Sequence, residues 1–110
     1  MVTYGKHNMS KATRSVLLPR RLANLLNTVG EQIRAARLRR NLPIALIAER
    51  AQCSHVTVGK IEKGDPTVSM GAYLRVLYAL QLADDIGKIA QDDPLGREQQ
   101  DLELRKRASR

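Results

Sequence analysis

The stretch Leu42–Gly64, LPIALIAERAQCSHVTVGKIEKG, leaves this chain fewer options than any other. Ile44, Ile47, Ala48 and Ala51 recur at i, i+3, i+4 and i+7, the spacing of one helix face. Pro43 suits a first helical position, where its missing N–H would have no partner anyway. Gln52–Cys53 interrupts the pattern, and Ser54 can then cap a second helix by accepting from a backbone N–H two or three residues on. In that second segment Val58 and Ile61 point one way, while His55, Thr57 and Lys60 fall mainly elsewhere. Gly64 ends it, because glycine enters the left-handed region without a Cβ clash. The spacing predicts two short helices around a tight turn, the second turning polar and basic groups outward.

Composition narrows what surrounds this unit. The chain has no Phe or Trp, so its core must be built from Leu, Ile, Val and Ala, which favours an all-α fold over a sheet. Its 110 residues suffice for one small domain plus tails. A net charge of +8 points to an anionic partner, nucleic acid before a membrane surface or an acidic protein. A single cysteine, Cys53, excludes an internal disulfide and a multi-cysteine zinc site. No stretch approaches the roughly 20 apolar residues of a membrane helix. The run Val16-Leu17-Leu18 stops at Pro19, which leaves no signal-peptide core. A reducing cytoplasm fits these features.

Residues 1–18 read as a flexible basic arm, mixing Gly5, Asn8 and Ser10 with Lys6, Lys11 and Arg14; Met9 is an alternative start. The domain is expected over 19–91. From Pro19, Leu22, Leu25, Leu26, Val29, Ile33 and Ala36 make a helical stripe running towards Arg40, with Gly30 expected to bend or divide the helix. After Gly64, Pro66 disfavours helix at Asp65 and makes 65–68 a connector. Ser69 is placed to cap a helix over about Met70 to Leu80, burying Tyr73, Val76, Leu77 and Leu80. A short last helix at about 84–90 carries Asp84 and Asp85 in its first turn, with Ile86 and Ile89 facing inwards. Residues 92–110 form a polar C-terminal tail, where Leu102 and Leu104 alternate with charges and allow a short strand or a docking peptide in place of a frayed end.

Two helices around a tight turn are the form of a helix-turn-helix, whose second helix enters the major groove with its N-terminal residues on base edges. That geometry makes His55, Val56, Thr57 and Lys60 the base-reading candidates. Lys60 can donate to guanine O6 or N7, and the methyls of Thr57 and Val56 suit thymine. Ser54 and Lys63, with Arg39 and Arg40 at the end of the first helix, are the phosphate-contact candidates, which fix register without reading sequence. Arg37 sits mid-stripe in the first helix and Glu62 closes the second helix of the motif beside Ile61. Two buried charges must pair, so an Arg37–Glu62 bridge of structural role is expected.

These residues resemble a known family. Arg37 through Leu82, with A-R-x-R-R at 36–40, I-A-E-R-A at 47–51 and V-G-K-I-E-K-G at 58–64, is similar to the Xre/Cro-type (lambda-repressor-like) helix-turn-helix domain. The resemblance implies a five-helix fold, operator DNA bound as a homodimer, and the same arginine–glutamate bridge. GDPTVSMGAYLRVLYAL at 64–80 and DDPLGREQQDLEL at 92–104 look like HipB-type antitoxins encoded beside HipA-like serine/threonine kinases. That implies an autorepressor that also binds the kinase toxin, in some loci with a third small protein that carries the neutralising role. Ile44 stands where many members have a glutamine that helps position DNA contacts, so the first helix of the motif is expected to act mainly in packing. Gln52 and Gln81 stand where glycine is frequent; keeping those turns left-handed would cost on the order of 1 kcal/mol each.

Other classes fare worse. His7, His55 and Cys53 lie at no metal-ligand spacing, and neither a Gly-rich phosphate loop nor a nucleophile elbow is present, so no catalytic residue, metal or cofactor is expected. A stand-alone phage-type repressor with no kinase shares the DNA chemistry and is the nearest competitor. An adaptor binding acidic protein through its basic face is the third reading. A two-fold dimer would set two recognition helices about 34 Å apart on a pseudo-palindrome. The last helix and the Leu102–Leu104 segment are the dimerisation candidates.

Overall fold

A computed structural model of the chain describes residues 17–109. The expected basic arm therefore lies, over 1–16, outside the described residues. Five α-helices and one 3-10 helix follow in order: α1 (Arg20–Arg39), α2 (Ile44–Ala51), α3 (His55–Glu62), α4 (Met70–Ala79), a 3-10 helix (Ala83–Lys88) and α5 (Pro94–Ala108). There is no strand among the described residues.

Local chemistry sets these bounds. Ser54 Oγ accepts from Thr57 N at 3.0 Å and Ser69 Oγ from Ala72 N at 3.1 Å, capping α3 and α4. Pro43 acts one position earlier than expected, as the residue just before α2, and its carbonyl accepts from Leu46 N at 3.1 Å. The first four helices stop in the same way. Asn41, Gln52, Gly64 and Gln81 all have positive φ, between 55° and 73°. In each case the next residue's N–H reaches back five residues, as in Leu42 N to Arg37 O at 3.2 Å and Asp65 N to Lys60 O at 3.0 Å. Only one of these four stops uses glycine, so the other three turns hold strained side chains.

The core lies where α1 to α4 meet. Ile33 and Ala36 of α1, Ile47, Ala48 and Ala51 of α2, Val58 and Ile61 of α3, and Val76 and Leu80 at α4 are buried together. Leu42, Cys53, Val68, Tyr73, Leu77 and Leu82 pack around that centre. No aromatic ring is needed to fill it, which explains how a chain without Phe or Trp closes a core.

Four expectations need correction. Gly30 neither bends nor divides α1, which runs unbroken for 20 residues. A Cβ at Gly30 would stand 2.6 Å from Glu62 O and 2.7 Å from both Ile61 O and Gly64 N, so glycine is there to let α1 touch the end of α3 backbone to backbone. The α1 stripe is only half buried: Leu22 and Leu25 are exposed, because no described element lies over the first two turns of the helix, and Val29 in the third turn is exposed at the rim of a groove shared with Leu77, Leu82 and Ile86. Ile89 likewise faces outwards, 68% exposed, since the 3-10 turn ends at Lys88 and carries it past the core. Finally, most of the tail is a helix, not a strand or a frayed end. Asp93 Oδ1 accepts from Gly96 N at 3.0 Å and Pro94 occupies the first turn, a start signal that outweighs the alternation of Leu102 and Leu104. No α5 residue is buried.

Candidate nucleic-acid interface

Helix α3 is too short to hold itself, at eight residues, and both of its ends are tied down. At its start Ser54 does two jobs: it accepts the Thr57 N–H, and its hydroxyl lies 3.0 Å from Thr57 Oγ1. At its end Glu62 accepts from Arg37 Nε at 2.6 Å and from Arg37 Nη2 at 3.0 Å, a bidentate fork across 25 residues of chain. The third nitrogen of the guanidinium, Nη1, donates to Leu42 O at 3.0 Å. One arginine of α1 thus fixes the end of α3 and the lead-in to α2. The two side chains are only 10% and 7% exposed, and among the described residues every buried side-chain nitrogen and oxygen has a partner. The Glu62 hydrogen bonds push the Arg37 guanidinium above its ordinary range and outweigh its burial, so the arginine stays charged.

With Val58, Ile61 and Glu62 buried, the rest of α3 is left to solvent. His55, Val56 and Lys60 are exposed, Val56 to 66%, while Thr57 is half-buried with its hydroxyl engaged by Ser54. An apolar side chain so exposed at the head of a capped helix is available to a thymine methyl. Ser54 and Lys63 are exposed at the two ends of α3. Arg39 is exposed at the end of α1. Arg40 is turned elsewhere: its Nη1 donates to Ala36 O at 2.9 Å, and it lines a shallow depression with Arg50, Ala79 and Gln81 to which α3 contributes nothing.

The turn after α3 carries more structure than a connector. Asp65 Oδ1 accepts from Thr67 N at 2.8 Å and Thr67 Oγ1 at 2.6 Å, and Asp65 O accepts from Tyr73 Oη at 2.9 Å. The two Thr67 donors, with the charge of Lys60 behind them, hold the Asp65 carboxyl below the usual carboxylate range. Burial, and secondarily the Asp65 charge, raises the Tyr73 phenol. Lys60 therefore projects from α3 within the field of a fixed carboxylate. The sequence signal for such a side-chain turn is Asp65-Pro66-Thr67, an aspartate two residues before a threonine with proline between them.

At the other end of the motif, Gln52 is left-handed at φ 55° and its turn places Cys53 against the core. Ile44, in the first turn of α2, is half-buried and packs on the core, so its side chain offers nothing polar outward. Among the described residues no three His, Cys, Asp or Glu side chains cluster to hold a metal, and no helix is long and apolar enough to cross a membrane.

Comparison with known proteins adds one match. The model of a family described as a helix-turn-helix domain fits residues 28–86, more than half of the 110. That span begins at Thr28, in the third turn of α1, and closes at Ile86 inside the 3-10 helix, so it covers all of α2, α3 and α4. No curated protein and no solved structure matches the chain.

Proposed function

The chain belongs to the helix-turn-helix domain family, in its Xre/Cro-like type, and is read as a DNA-binding regulator; from that premise we propose that it is a sequence-specific transcriptional repressor, binding operator DNA as a homodimer. The observation that carries this reading is α3 itself, locked at both ends yet exposed at His55, Val56 and Lys60. A helix that reads bases must present its side chains from a rigid frame, and Arg37 with Glu62 supplies that frame. In this reading His55, Val56 and Lys60 face base edges. Thr57 contributes its methyl, since its hydroxyl is shared with the cap. Ser54, Lys63 and Arg39 take phosphates, and Arg40 joins them only by leaving the Ala36 carbonyl.

The test is DNA binding measured against salt and sequence. Lys60→Ala is expected to relax base preference at one position, costing about 1–3 kcal/mol on the preferred site alone; Lys63→Ala is expected to weaken all sequences alike and to lower the salt slope by about 1. Equal weakening of every sequence by Lys60→Ala would remove its base-reading role. A flat salt dependence would favour the acidic-protein adaptor instead.

Within the same proposal the protein is the antitoxin of a HipBA-like system, partnered by a HipA-like serine/threonine kinase and, in loci of the three-gene kind, by a small third protein. The support is the likeness of 64–80 and 92–104 to HipB-type sequences, together with α5, which stands free with Leu95, Leu102 and Leu104 exposed. Co-expression with a neighbouring kinase should give a stable complex. If none forms, the stand-alone repressor is the correct reading.

A further inference from the structure

Charge in the C-terminal segment is divided between two pieces. Residues 92–104 hold five carboxylates against one cation, whereas 105–110 hold four cations and no carboxylate. The cation of the first piece, Arg97, is engaged locally: it donates to Asp92 Oδ1 at 2.9 Å and to Gln91 O at 3.4 Å. Among the described residues every side-chain hydrogen bond and ion pair of α5 is likewise with its own helix or the residues flanking it. No α5 residue is buried, and none packs on the hydrophobic core. The helix is about 22 Å long and carries its cations at the end farther from the domain. There Arg105, Lys106 and Arg107 make the last turn, all exposed. Lys106 lies 3.6 Å from Glu103, and neither arginine has an aspartate or glutamate within ion-pairing distance among the described residues.

We propose that Arg105, Lys106 and Arg107 are a second DNA contact, which takes backbone phosphates beside the stretch read by α3 and is indifferent to base sequence. The inference rests on the DNA-binding reading above and adds a site outside the family match, which ends at residue 86. Charge complementarity names the occupant, since a guanidinium with no carboxylate partner pairs well with a phosphate. Shape and surroundings favour a duplex over an anionic bilayer. At 100° per residue the three cations spread over about 200° of the helix, which suits a groove with phosphates on both walls. A flat bilayer would meet Asp101 and Glu103 within a turn of the same cations. The length of α5 matches about six base pairs at 3.4 Å per step, so its tip serves phosphates flanking the α3 site. The helix dipole also favours cations at this end. That role is local to α5 and would leave the salt dependence of DNA binding untouched.

Affinity of the full chain for duplex DNA, measured against salt on two unrelated sequences, tests this. Arg105→Gln with Arg107→Gln is expected to make the slope of log K on log salt shallower by about 1.8, at about 0.9 per phosphate, equally on both duplexes. Because α5 buries no residue, the domain stays folded in this variant. Arg105→Lys with Arg107→Lys should keep the wild-type slope, since a phosphate contact of this kind needs the charge rather than the fork. Arg20→Gln with Arg21→Gln, which takes the same charge from the exposed start of α1, should leave the slope as it is. An unchanged slope in the α5 glutamine variant, a loss confined to one duplex, a loss in the lysine variant, or an equal loss from α1 would each overturn the assignment. A wild-type protein that prefers no sequence in a randomised pool, while the α5 glutamine variant still loses slope, would remove the repressor function and leave this contact standing. A wild-type protein that binds no duplex would end both.

Discussion

A guanidinium with all three nitrogens engaged behaves unlike a surface cation. Arg37 binds both oxygens of Glu62 and the carbonyl of Leu42, and lysine has no planar fork with which to repeat that. Arg37→Ala leaves a carboxylate buried and alone, and should cost about 3–5 kcal/mol in urea unfolding. The double change Arg37→Met with Glu62→Leu should recover most of that loss, because two apolar groups need no partner. Asp65 makes a second prediction, with a pH sign. Its carboxyl is held low in the fold, so its contribution to stability is present above the ordinary aspartate value of about 3.9 and fades as pH falls through the lower folded value. The difference in urea midpoint between wild type and Asp65→Asn should therefore be largest near neutrality and vanish in acid. These residues differ in how visible they were. An arginine inside an apolar stripe and a glutamate beside Ile61 announce a pair, because each alone would be untenable. The Asp65 turn depends on a proline, a threonine and a tyrosine eight residues away acting together, and no single periodicity marks it.

At the scale of elements, starts and stops were the most legible part of the chain. Ser54, Ser69 and Gly64 are read from chemistry that acts within three residues, and the structure uses each as expected. Burial was less legible. The α1 stripe marks an apolar side but carries no information on whether anything lies opposite, so Leu22 and Leu25 look the same in sequence as Ile33 and differ completely in the fold. Helix α5 was missed for the converse reason: its cap and proline are clear, but its leucines form no stripe for a helix to be recognised by. Two glycines make a test at this scale. Gly30→Ala gains helix propensity of about 1 kcal/mol yet drives a Cβ into the Ile61 and Glu62 carbonyls, so a net loss of about 1–2 kcal/mol is expected, with α3 displaced. Gly59→Ala, where an added Cβ meets nothing within 4 Å, should stabilise the protein by about 0.5–1 kcal/mol. Thermal unfolding of the two variants should move in opposite directions.

Over the whole molecule, stability and recognition are concentrated between α1 and the 3-10 helix, while α5 stands apart from the core. A 15-residue helix with no buried residue is marginal in water. Ending the chain after Gln91 should leave the unfolding midpoint of the rest within about 0.5 kcal/mol and remove only helical signal, and amide exchange over 94–108 should be fast in the intact protein. The function was legible to the depth of its family: a pair of short helices around a tight turn, the second capped by Ser54, on a basic chain reaches DNA binding directly. The base contact proposed for Lys60 depends on how the whole domain sits in the groove, a matter of rigid-body placement that residues in a row do not encode.

The fork between Arg37 and Glu62 also sets a timetable. During synthesis the arginine emerges 25 residues ahead of its carboxylate, an interval of about one to five seconds at 5–20 residues per second. For that time α1 has no α3 to pack against, so Ile33 and Ala36, buried in the finished fold, lack the cover it gives them. The nascent chain therefore shows one long apolar helix face before it shows a recognition helix. A chaperone that captures such faces meets this chain before DNA does.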